Sequence, residues 1–77
     1  MTVEFLKVGQ RVRCITYLRV IIEAIVVEVR ALHVYADVTK TSNNGIWYVG
    51  RHIILNDYWM KAWNVELLPL TSDEEIT

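Results

Sequence analysis

The chain is poor in the residues that staple or punctuate small secreted folds, with one Cys, one Pro and three Gly among 77 residues. A lone Cys14 cannot close an internal disulfide, and Asn43, Asn44, Asn56 and Asn64 all lack the Ser or Thr two positions on that a glycosylation acceptor needs. Charge of one sign is also missing. Eight Lys and Arg against nine Asp and Glu give a formal charge of −1, so no overall field draws the chain to DNA, RNA or an anionic membrane. The most apolar stretch, Val20–Val29, is interrupted by Glu23 and Glu28 and is too short to span a bilayer. The opening Met1-Thr2-Val3-Glu4 has neither the basic nor the apolar region of a signal peptide. The expectation is a cytoplasmic protein without a membrane partner.

Catalytic and metal-binding patterns are absent too. His33 and His52 are the only histidines, and neither has a Cys, His or acidic partner at metal-ligand spacing. Cys14 falls on the inward face of its predicted strand, where a thiol is inert packing rather than a nucleophile. There is no G-x-S-x-G, no phosphate-binding Gly loop and no H-E-x-x-H. Glu23 with Glu28, or Asp57 with Glu66, could be paired as acid and base, but scattered carboxylates on a small protein belong to solvated surface. The expectation is a non-enzymatic protein with no cofactor and no metal.

What the chain does have is apolar and aromatic material. It is 53% apolar, with three Trp, four Tyr and one Phe, and its mean hydropathy is +0.25. A domain this short buries only about 60–65% of its unfolded surface, so some of that material is expected at a self-association or partner surface. Length allows one domain, set at 1–70, followed by an acidic, flexible, solubilising tail over 71–77 that contains Asp73, Glu74 and Glu75.

Alternation gives the elements. Val12 and Cys14 share one face of Arg11–Thr16, while Arg11 and Arg13 take the other, which predicts a half-buried strand. Over 18–32 the spacing of Leu18, Ile21, Ile22, Ile25, Val29 and Leu32 also fits a helix. The density of Val and Ile, and the lack of a cap before Leu18, favour a long strand roughly over 20–30. Val34, Ala36 and Val38 alternate with His33, Tyr35, Asp37 and Thr39, which predicts a strand with one wet face. The cluster Thr41-Ser42-Asn43-Asn44-Gly45 predicts a hairpin returning as Ile46–Val49 and resuming after a bulge or bend at Gly50 as Arg51–Leu55. Asn56-Asp57 breaks the chain. Tyr58–Asn64 is a further strand or a short helical turn, and Val65–Leu68 closes the fold.

Five short strands fit an all-β small barrel, because closure removes edges that so few residues cannot protect. The opening Lys7-Val8-Gly9-Gln10-Arg11-Val12-Arg13-Cys14 and the closing Asn64-Val65-Glu66-Leu67-Leu68 resemble the first and last strands of SH3-like barrels, the group that includes KOW, Tudor and phage-type SH3-like domains. The resemblance implies a single five-stranded SH3-like barrel with a short helical turn or extra hairpin before its last strand. It departs between Gly50 and Asn64, a stretch longer than the usual short turn.

Three functional classes follow. The aromatic set Trp47, Tyr58, Trp59 and Trp63, rimmed by Arg51 and Lys61, points to a protein-binding patch, since Trp and Tyr carry much of the energy of protein interfaces. Small phage proteins that block host enzymes or defence factors resemble such a module, which implies an inhibitor or adaptor acting on a host protein in the host cytoplasm. The basic strand residues Lys7, Arg11, Arg13 and Arg19, with Tyr17 and Tyr35 available for stacking, point instead to nucleic acid. A third class is a homo-oligomer sequestering a nucleotide-like ligand between subunits.

Overall fold

Inward-facing apolar residues at every second position organise the structure, a computed structural model that describes residues 3–68. Strand β1 spans Arg11–Ile15, with Val12 and Cys14 buried. Strand β2 spans Ile21–Val29 and buries Ile22, Ala24 and Val26. Strand β3 spans His33–Thr41 and buries Val34, Ala36 and Val38. Strand β4 is His52–Asn56, with Ile53 and Leu55 inward. Helix α1, Asp57–Ala62, follows directly, and β5 is the short Glu66–Leu67.

Among the described residues all pairings are antiparallel, and one sheet runs β4-β3-β2-β1-β5. Residues 18–32 therefore contribute a strand, and the β-branched density of Val20–Val29 prevails over its helical spacing. The inner face of the sheet is covered by Leu6, Met60, Trp63 and Val65, together with Trp47 from the β3–β4 connection. Asp57 ties the start of the chain to this cap by accepting a hydrogen bond from the Val3 N–H at 2.9 Å. Among the described residues no helix is long and apolar enough to cross a membrane.

One strand assignment is corrected. Ile46–Val49 forms turns, and the return strand starts only at His52. Trp47 is buried from within this connection, and pairing to β3 begins only past Gly50. Gly50 has a φ of 96° and sits at a bulge: its N–H donates to the Val38 carbonyl at 2.8 Å, while the Val38 N–H donates to the Arg51 carbonyl at 2.9 Å. The long stretch between Gly50 and Asn64 supplies β4 and α1. The acidic residues of 71–77 lie outside the described residues.

Candidate functional site

Five aromatic rings form a connected row at one end of the sheet. Tyr17 meets Trp47 edge-on at 6.2 Å between ring centroids, Trp47 meets Trp63 at 5.1 Å, Trp63 meets Trp59 at 4.9 Å and Trp59 meets Tyr58 at 4.9 Å. They border two adjoining depressions. One, of about 310 Å³, has Tyr17, Trp47, Trp59 and Trp63 facing Arg51–Ile54. The other, of about 500 Å³, shares Tyr17, Trp59 and Trp63 and adds Ile15, Tyr58 and Ala62.

Each ring is positioned by local chemistry. The β1–β2 turn is closed by buried Thr16, whose N–H and Oγ1 both donate to the Val20 carbonyl at 2.9 Å. That closure forces Leu18 and Arg19 to φ values of 66° and 59°, a left-handed region that costs an L-residue about 1–2 kcal/mol. The turn thereby displays Tyr17 and Leu18. Helix α1 is capped at both ends: Asn56 Oδ1 accepts from the Trp59 N–H at 3.0 Å. At the far end the Asn64 N–H donates to Lys61 and the Val65 N–H to Met60, at 3.1 and 3.0 Å, with Asn64 at a φ of 47°. These caps set Trp59 and Trp63 one turn apart. The Ile15 N–H donates to the Trp63 carbonyl at 2.8 Å and fixes this segment beside β1.

The expected exposed patch is only partly exposed. Trp47 and Trp63 keep 6% and 7% of their surface and form the floor, Trp59 is half-buried, and Tyr58 keeps 69%. Two large rings are needed to seal one end of so small a core, so the surface falls to their neighbours. Arg51 lies over the Trp47 ring, and Lys61 is exposed at the end of α1 outside both depressions. The indole Nε1–H of Trp63 is buried and finds no acceptor among the described residues. Tyr17, 60% exposed, joins the row although in the sequence it reads only as a stacking residue beside the basic strand. Its membership depends on the β1–β2 turn, which no turn-forming residue announces.

The basic set disperses. Arg11 pairs with Glu23 at 2.8 Å and Arg13 pairs with Glu66, both on the outer face of the sheet. Arg19 is exposed in the turn next to Tyr17, and Lys7 is exposed before β1. Tyr35 is half-buried against His33. Burial pushes the Cys14 thiol up to about 12, so it stays protonated and unreactive near neutrality. Among the described residues no three His, Cys, Asp or Glu side chains gather closely enough to hold a metal ion. Compared with known protein families, with curated proteins and with solved structures, the chain matches none.

Proposed function

We propose that the chain is a small, non-enzymatic protein-binding module that holds its partner in the aromatic groove. The observation that carries this reading is the row of five rings, in which buried Trp47 and Trp63 rigidly support exposed Tyr17 and Tyr58 and half-buried Trp59. Exposed aromatics on a fixed floor lose little conformational freedom on binding and bury large areas, which is the composition of interface hot spots. Leu18 supports it as well. A Leu that is 79% exposed and held at positive φ is unfavourable for an isolated domain.

The meander order β4-β3-β2-β1-β5, with a helical turn before β5, fits an SH3-like barrel whose sheet stays open along the edge of β4. On that reading the module acts as an inhibitor or adaptor on a cytoplasmic host protein, as phage-encoded proteins of this size do. The ion-paired Arg11 and Arg13 give a nucleic-acid surface less support than their sequence positions do. A second reading has its own observation: a groove of about 310 Å³ with aromatic walls and one Arg also suits a flat nucleotide-like ligand held between subunits.

Purification from lysate at low salt, with native mass and the 260/280 nm absorbance ratio recorded, separates these readings. A protein-like ratio with a stoichiometric second protein, lost in the Tyr17→Ala/Trp59→Ala variant, is the expected result. A raised ratio on a homo-oligomer would place a nucleotide-like ligand in the groove instead.

A further inference from the structure

The groove runs along a sheet edge. Among the described residues strand β4 is the terminal strand of the sheet, and the depression of about 310 Å³ is bordered by Arg51, His52, Ile53 and Ile54 in unbroken succession. Successive side chains of a strand point to opposite faces, so a groove bordered by four consecutive residues fits one that follows the strand's edge. The hydrogen-bond phase agrees. Val38 bonds to Gly50 and Arg51 at the bulge, and the register then pairs Asp37 with His52, Ala36 with Ile53 and Tyr35 with Ile54. Antiparallel pairs alternate between bonded and unbonded, so Ile53 turns its backbone groups to β3. His52 and Ile54 turn theirs to the open edge.

From this we infer that β4 takes an extended peptide segment of the partner as an additional strand, with a peptide carboxylate set against Arg51. This deepens the protein-binding reading and rests on it. Backbone groups of His52 and Ile54, about 7 Å apart along the strand, supply paired donors and acceptors for the incoming backbone. Every second peptide side chain then faces the wall of Tyr17, Trp59 and Trp63. The charge choice follows from Arg51, the one permanently charged side chain among the described residues of the lining; Asp37 stands outside that lining and is engaged by His52, whose Nδ1 lies 2.5 Å from its Oδ1. A second copy of the chain pairing β4 to β4 would bring two Arg51 guanidinium groups into one shared groove, whereas a peptide carboxylate neutralises one.

The probe is a displayed library of random nonapeptides selected on the full chain, followed by synthesis of the best binder. Three results are expected. Backbone N-methylation lowers affinity about tenfold or more at alternate peptide positions and little at those between. Amide exchange at His52 and Ile54 slows in the complex. Replacing the peptide carboxylate by an amide weakens binding to the wild type but not to Arg51→Gln. Ile54→Pro, which removes an outward N–H and leaves the β3 ladder in place, should retain the circular dichroism spectrum and lose the peptide. If Ile54→Pro misfolds, the N-methyl series on the wild type decides. Peptides that need Tyr17 and Trp59 but tolerate N-methylation throughout and leave the β4 amides unprotected would overturn edge docking alone. Selection that yields no peptide dependent on Tyr17 and Trp59 would overturn the protein-binding reading with it. A dimer that protects the same amides without peptide would assign the edge to a second copy and overturn the peptide proposal.

Discussion

The guanidinium of Arg51 lies over the ring of Trp47, 4.4 Å from its centroid, and its Nη1 donates to the Ile46 carbonyl at 2.7 Å. One side chain thus fastens both the ring and the backbone of the β3–β4 connection. Arg51→Ala should lower stability by about 1 kcal/mol, the sum of a partly exposed cation–π contact and one hydrogen bond. Arg51→Lys keeps the charge but not the planar fork, and should recover only part of the loss. Urea unfolding followed by Trp fluorescence checks both.

Leu18 separates stability from binding. Leu18→Gly relieves a φ of 66° at a residue that buries little, and should raise stability by about 0.5–1 kcal/mol after the extra unfolded-chain entropy of Gly is deducted. The same change should weaken partner binding, because it removes apolar surface beside Tyr17. Thermal melts and titration of the isolated partner read the two effects separately. A variant that is both less stable and fully active would contradict the assignment.

The floor and the wall of the groove should respond differently to truncation. Trp47→Ala and Trp63→Ala each empty a buried site and should cost about 3–5 kcal/mol, enough to unfold a domain this small. Tyr17→Ala and Tyr58→Ala should leave the far-ultraviolet circular dichroism spectrum unchanged. Near-ultraviolet spectra, which report on the packed rings, distinguish a repacked floor from an intact one.

Cys14 sets an alkaline limit. Its thiol is raised by burial from 9.0 to about 12, so between those values the unfolded chain releases a proton that the folded chain retains. Stability from this group is therefore undiminished below pH 9 and falls as pH rises through that window, by about 1.4 kcal/mol per pH unit. Cys14→Ala should flatten the slope at some cost in packing. Denaturant titrations from pH 8 to 11 measure it, and a slow reaction of the native thiol with a disulfide reagent at pH 8 should accompany it.

Strands β1, β2 and β3 were legible because Val12 and Cys14, Ile22, Ala24 and Val26, and Val34, Ala36 and Val38 repeat at the sheet period. The fourth strand was not. Ile46-Trp47-Tyr48-Val49 has strand composition, yet pairing to β3 begins only past the bulge at Gly50, with the strand starting at His52. Asn56-Asp57 reads as a chain break in the sequence, and the bond from the Trp59 N–H to Asn56 Oδ1 makes it a helix start. The aromatic set was legible as residues but not as a surface. Which rings are floor and which are wall depends on long-range packing, and Tyr17 joins them only through a turn whose two left-handed residues are neither Gly nor Asn.

The most direct test of the central claim is the affinity of the isolated partner for three forms of the chain: wild type, Tyr17→Ala/Trp59→Ala and Arg11→Glu/Arg13→Glu. A protein-binding groove predicts a loss of about 100-fold or more in the first double variant, in line with two hot-spot truncations, and an unchanged value in the second. Full binding by the first and loss by the second would contradict the account and move function to the basic face of β1.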